Sequence, residues 1–218
     1  MQKRIGFFRV MAALVCALVL VGCSPKEKET GKEKGNLPDL PAANVKNGQL
    51  DSHEGKNEFV TKNNLEAFAK EFDAAMNGSA RAARALGNPD YTQTISGLSG
   101  KLALKMWFVF PDDTDDFSRT KTTMLMTYNN YSESGTLFCG GELASATYMN
   151  NNYGSFESKM NGEILFNGAY SGSVVYDNFY VKWDGKKLTI SGKLTVKSNG
   201  VETNFEEYYE INLQDDLF

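Results

Sequence analysis

The residue whose setting best suits acid–base work is Glu207. In the C-terminal run Val201, Phe205, Tyr209, Ile211 and Leu213 share one parity, and Glu207 falls among them. A carboxylate on an apolar strand face has its ionised form disfavoured, which is where general acids are found. Facing a second acid across a cleft it would make a carboxylate-based hydrolase. A bulge at Glu206-Glu207, or a partner such as Arg81 or Arg84, would make it ordinary. Asp112, Asp113, Asp115 and Asp116 place four acids in five residues and are the weak metal candidates, since hard oxygens suit calcium. Their spacing lacks the glycine and distal glutamate of an EF-hand, so a solvated acidic turn is the plainer reading.

Other chemistries lack their parts. The only histidine, His53, falls outside the expected folded portion, so neither a Ser-His-Asp nor a Cys-His arrangement assembles there, and a His-based zinc or copper site is excluded. No phosphate loop or dinucleotide fingerprint follows a strand-like run. Cys139 shares the parity of Leu137 and Leu143 and reads as a small buried residue. No catalytic residue and no cofactor is therefore expected. Aromatic residues are the remaining handle: Tyr170, Tyr176, Tyr180 and Tyr208, with Trp107 or Trp183, are expected on solvent-facing positions where rings grip a protein or glycan partner. Met106, Met124 and Met126 fall in phase on adjacent strands and would line an adaptable apolar pocket or fill a core gap.

Two kinds of element must position these groups. Leu65, Phe68, Phe72 and Met76 recur three and four apart, the stripe of an amphipathic helix, with Asn63 to Glu66 at capping-box spacing or Thr61 as cap and Val60 stapled to Leu65. A second, alanine-rich set of turns, Ala80 to Leu86, would end at Gly87. After Tyr91 the period becomes two: Leu102, Leu104, Met106, Phe108 and Phe110 alternate with polar residues, as do Leu188, Ile190, Leu194 and Val196. Asp184-Gly185 and Asn199-Gly200 suit two-residue hairpin turns with positive φ. The fold class is thus mainly β (α+β): one N-terminal amphipathic helix, then an antiparallel meander of about eight strands from about 93 to 213. Leu98-Ser-Gly-Lys-Leu nearly repeats as Ile190-Ser-Gly-Lys-Leu, either by coincidence or by internal repetition. Glycines at Gly100, Gly141, Gly168 and Gly192 predict a row of bulges, hence a curled sheet forming a barrel or half-barrel.

The N-terminus sets the address. Cations at Lys3, Arg4 and Arg9 precede an uncharged run of 12 residues from Val10 to Val21, then Gly22 and Cys23. That order makes a secretory signal peptide, too short to span a hydrocarbon core that needs about 20 helical residues. Leu20-Val21-Gly22-Cys23 resembles the lipobox of bacterial lipoproteins. The resemblance implies cleavage before Cys23, a diacylglyceryl thioether on its sulfur and acylation of the new amine, a lasting anchor because each buried methylene contributes about 0.8 kcal/mol. Ser24 resembles the residue type that sends such proteins to the outer membrane of two-membraned bacteria. Of 23 Lys and Arg, three leave with the signal while all 27 Asp and Glu stay, giving 20 against 27, or net −7. Such a surface repels phosphate backbones, so no nucleic-acid partner is expected.

The domain organisation read from the chain is 1–22 signal peptide, 23–57 lipidated cysteine and solvated tether, and 58–218 helix plus β domain. The tether assignment rests on the absence of aromatic residues, three of the five prolines and the Lys-Glu alternation. The expected function is that of a lipid-anchored cell-envelope lipoprotein, membrane-bound through Cys23, with a non-catalytic binding or structural role toward a protein, glycan or lipid. The alternatives are a carrier of an apolar ligand or lipid in a half-barrel cavity, and the carboxylate hydrolase. The first reading predicts a filled interior with an exposed Tyr/Trp patch; the carrier predicts a sizeable Met- and Phe-lined cavity.

Overall fold

The structure, a computed structural model, describes residues 37–76, 90–109, 119–150, 155–184 and 187–204. The signal peptide with Cys23 and Ser24, the alanine-rich set 80–86, the acidic cluster Asp112 to Asp116, Glu207 and Tyr208 lie outside them.

Strict alternation produces the expected meander. β2 (Asp90–Ser96), β3 (Ser99–Val109), β4 (Arg119–Ser132), β5 (Leu137–Asn150), β6 (Ser155–Gly168), β7 (Tyr170–Trp183), β8 (Leu188–Ser198) and β9 (Val201–Asn204) each pair antiparallel with the next. A short β1 (Glu58–Phe59) adds parallel to the start of β7, giving nine strands. The sheet is not closed, because β2 and β9 end it. The barrel alternative falls and the open form remains. On β3, Leu102, Leu104 and Met106 are buried while Lys101 and Lys105 are exposed. Residues of that parity from β3 to β8 meet the helix in one core.

The near-repeat has a shared physical cause. Gly100 has φ 62° and faces Asn130 at φ 49° on β4; Gly192 has φ 80° and faces Asn178 at φ 48° on β7. Each Ser-Gly-Lys thus sits against a bulge whose asparagine is in the left-handed region, and the register shifts at both places. A Cβ on either glycine would strike backbone carbonyl oxygens, of Asn129 and Asn130 or of Asn178. The same device, used twice, bends the sheet toward one side.

The helix α1 (Leu65–Met76) buries Leu65, Phe68, Phe72 and Met76, together with Ala69 and Ala75. Its cap differs from both expectations. The Asn64 carbonyl accepts from Phe68 N–H at 2.9 Å, while Asn64 Oδ1 turns back to accept from Thr61 N–H at 2.6 Å. Asn64 therefore closes the turn that either Asn63 or Thr61 was expected to make. The helix crosses one end of the sheet. Val60 N–H donates to Ser198 Oγ at the end of β8 (2.9 Å), and Phe68 packs on Phe166 and Tyr170 with ring centroids 4.6 and 5.5 Å away. Further along, Thr136 Oγ1 donates to Glu71 (2.7 Å) and Glu133 N–H to the Ala75 carbonyl (3.0 Å) between β4 and β5. Twelve residues of helix are about 18 Å long, whereas the 14-residue central strands run about 46 Å. So α1 covers one end of the concave face only.

The tether expectation fails for residues 37–57, because those the structure describes include a strap laid on the outer face of the sheet. A single 3-10 turn (Val45–Asn47) carries Asn44 and Asn47 to Glu142. The chain then passes Gly48 over the backbone of Gly141, and Gln49 carbonyl accepts from Asn130 N–H at 2.8 Å. Asp51 and Asn130 bond to each other through both amide atoms of Asn130, and Asn167 Nδ2 donates to the Asp51 carbonyl at 2.6 Å. His53 stacks on Phe138 with centroids 3.7 Å apart, and Asn57 N–H donates to the Gly168 carbonyl at 2.7 Å. A Cβ on Gly48 would collide with backbone atoms of Gly141 and Tyr128, so only glycine allows this approach. Composition failed here because the strap is held by hydrogen bonds rather than by apolar area.

Candidate functional site

Cross-strand register orders the concave side chains into rungs. Nearest the helix stand Tyr131, Cys139 and Phe166, then Leu102, Tyr128, Gly141, Ile164, Val174 and Val196. The next rung runs Gln93, Leu104, Met126, Leu143, Gly162, Tyr176 and Leu194; below it come Met106, Met124, Ser145, Met160 and Phe179. Below that come Phe108, Thr122, Thr147, Ser158, Val181 and Ile190. Away from the helix the concave face therefore changes from hydrocarbon to methionine and then to hydroxyl.

This lower half is the candidate site. Met106, Met124, Met126 and Met160 are buried, as the phase of the first three predicted. Ser145, Thr147 and Ser158 are also buried, and Thr147 Oγ1 lies 3.0 Å from Ser158 Oγ. Gly162 contributes no side chain in the middle of its rung. Gln93 Oε1 is buried without a hydrogen-bond partner. An orphaned acceptor costs roughly 1–3 kcal/mol, so this oxygen is a place where a donor would be welcome. Soft thioethers, small hydroxyls and one unpaired amide oxygen suit an apolar molecule bearing a hydrogen-bond donor.

The predicted aromatic patch does not form. Tyr170 and Tyr176 are buried in the core, Tyr170 edge-on to Phe68 and Tyr176 edge-on to Phe179. Tyr180 is on the outer face, beside the Glu157–Lys182 pair at 2.8 Å. Burial, then the Glu157 charge, pushes its hydroxyl pKa up. The hydrogen bond to Glu157 likewise holds Lys182 above the usual lysine value. Trp183 pairs with Phe156 on the concave side and is half-buried, whereas Trp107 is exposed on the outer face. Cys139 is buried, as expected, and burial drives its thiol far above the ordinary range. His53 is in the fold after all, but its partners are the Phe138 ring and the Asn130 amide, not a hydroxyl or thiol.

Two buried polar groups were missed in the sequence. Gln93 carries no signal beyond its parity with Ile95. Glu142, buried on the outer face, accepts from Asn44 N–H (2.9 Å), Asn47 Nδ2 (2.9 Å) and Thr127 Oγ1 (2.7 Å). Its signal was a lone acid within the small-residue run Gly140-Gly141-Glu142-Leu143-Ala144, a strand built for something to lie on. No protein-family model, curated protein or solved structure matches this chain.

Proposed function

We propose that the chain is a cell-envelope lipoprotein, held to a membrane through acylated Cys23, that binds an apolar molecule bearing a hydrogen-bond donor on the concave face of its open sheet. The observation that carries the ligand reading is the unpaired Gln93 Oε1 on the side of the methionine and hydroxyl rungs, beyond the end covered by α1. Burial of Tyr170 and Tyr176 removes most of the support for an outward aromatic patch, while burial of Met106, Met124, Met126 and Met160 is the filled interior of the partner-binding form, so it is the unpaired Gln93 oxygen that favours the ligand reading. The anchor reading rests on Leu20-Val21-Gly22-Cys23, and the outer-membrane assignment on Ser24. No step of bond chemistry is assigned.

Native mass spectrometry of the processed protein tests both halves. The strap belongs to the fold, so the chain must keep residues 37–57. A native N-terminus at residue 23 with the mass of attached acyl chains is expected, together with a non-covalent lipid-sized adduct. Gln93→Leu removes the unpaired acceptor; it should raise stability by about 1–2 kcal/mol and lose the adduct. A wild-type protein that never carries an adduct, or a Gln93→Leu variant that carries it unchanged, refutes the ligand reading.

A further inference from the structure

The outer face of β3–β5 holds a second feature. Register places Lys105 opposite Leu125, Trp107 opposite Thr123, Lys121 opposite Tyr148, and Lys159 opposite Ala146, all on that face. Trp107 is 38% exposed, one of four large apolar side chains exposed among the described residues. Lys101, Lys105, Lys121 and Lys159 take part in no ion pair among the described residues; of the acids around them, Asp90 of β2 stands opposite Trp107 in the register, and Glu157 is held by Lys182. Glu142, the one described acid on the outer face of β3–β5, is buried under the strap. Lys105, Lys121 and Lys159 on the strands flanking an exposed tryptophan, with Lys101 about 20 Å further along β3, therefore stand out on a protein whose mature chain is net −7.

We infer that this patch seats the protein on the surface of an anionic lipid bilayer. The inference rests on the lipid-anchor reading for the bilayer's presence, and the path of the strap argues for the face. The strap that leads back toward Cys23 lies on the same outer face, so the anchor is delivered from that side. The stretch from Cys23 to Leu37 reaches at most about 50 Å, which keeps the domain within about one strand length of the lipid without itself selecting a face. Tryptophan favours the headgroup level, lysine is drawn to anionic lipid, and half-buried Leu125 opposite Lys105 adds apolar area between them. The concave face, with its buried methionine and hydroxyl rungs, then points away from the bilayer.

The test uses the processed chain carrying Cys23→Ser, so that acyl chains contribute nothing, with Trp183→Phe to leave Trp107 as the sole tryptophan. Vesicles of phosphatidylcholine alone, or mixed with phosphatidylglycerol, are the probe, with brominated acyl chains as quencher. Binding to the anionic vesicles only, weakened by salt and accompanied by quenching of Trp107, is expected. Lys105→Gln with Lys121→Gln should reduce partitioning roughly 30-fold without altering the fold, at roughly fivefold per lysine. Equal partitioning into both vesicle types, no partitioning into either, or a bound but unquenched Trp107 overturns the inference. The mass of residue 23 in the native protein decides the anchor reading separately.

Discussion

Glu142→Ala should lift the strap off the sheet while the sheet itself stays folded. Glu142 is 2% exposed and accepts three hydrogen bonds, two of them from Asn44 and Asn47. A hydrogen bond to a charged group contributes about 1.5–3 kcal/mol, so a rigid structure would lose about 4.5–9 kcal/mol. The strap is not rigidly built in, however: Asn44 and Asn47 are exposed, and once the strap detaches their donors return to water. The loss is therefore capped by the docking free energy of the strap, about 3 kcal/mol, which for a domain of this size lowers Tm by about 6–12 °C. Glu142→Gln keeps one acceptor but turns an NH2 toward donors, and should fall between. The assay is limited trypsin digestion beside hydrogen exchange. Lys46 and Lys56 are exposed but their backbone lies in the docked strap, so cleavage there reports detachment. Rapid cleavage after both, lost protection over 44–57 and unchanged protection on β5 to β7 are expected. Native-rate cleavage with an unchanged Tm would refute the account of what holds the strap. Global unfolding would refute its separability.

Three further outcomes follow from other parts of the fold. Gly100→Ala and Gly192→Ala each force a Cβ onto a carbonyl at positive φ, so each should cost about 1–3 kcal/mol in urea unfolding, and the two should add because five strand pairings separate them. Phe68→Ala empties the ring cluster with Phe72, Phe166 and Tyr170, and should lower stability by about 3–5 kcal/mol in the same assay. Asp73 lies in the last turn of α1, and burial raises its carboxyl pKa above the usual value. A raised folded-state pKa means its contribution is fully favourable below the unfolded value near 3.8 and is lost as pH rises through the folded value. Asp73→Asn should therefore melt higher than wild type at pH 7 and no higher at pH 3; the helix C-terminus, which disfavours an anion, adds to the same sign. A variant with the same Tm as wild type at both pH values would contradict it.

The elements with a repeating hydrophobic pattern were legible in the chain. Leu65, Phe68, Phe72 and Met76 marked the helix, and the even positions from Leu102 to Met106 marked a half-buried strand, because burial on one side enforces periodicity. The face on which a given tyrosine lands was not legible, because bulges reset parity. Tyr176 and Tyr180 are four apart and share a parity, yet the register shift between Asp177 and Tyr180 sends the first inward and the second outward. Tyr128 and Tyr131 differ in parity and are both buried, since the shift between them lies at the Asn130 bulge. The strap was invisible for another reason. Its docking depends on single carbonyls and amides of Asn129, Asn130, Asn167 and Gly168, none of which has a periodic signature, and its composition matched that of a solvated spacer.

Those misses sharpen where function is to be sought. A buried polar group needs a partner, and where the chain supplies it the group is explained by folding alone. Glu142 is such a case: strap and Thr127 satisfy it, so its burial says only that the strap is meant to dock. Ser132 and Ser198 are likewise occupied, by Gly135 N–H and by Val60 N–H and the Ser171 carbonyl. Gln93 is different. Its amide oxygen is buried and unpaired, a state shared among the described residues only with Asn167 Oδ1, whose amide nitrogen holds the strap; the register sets Gln93 opposite Leu104 on the rung that continues to Met126, and a leucine there would stabilise the sheet. Sequences that specify one fold rarely keep such a residue without a return, and the places where the folding logic breaks are commonly those used for binding. The contrast between Glu142 and Gln93, two polar residues on opposite faces of one sheet, is what separates a clasp from a ligand seat.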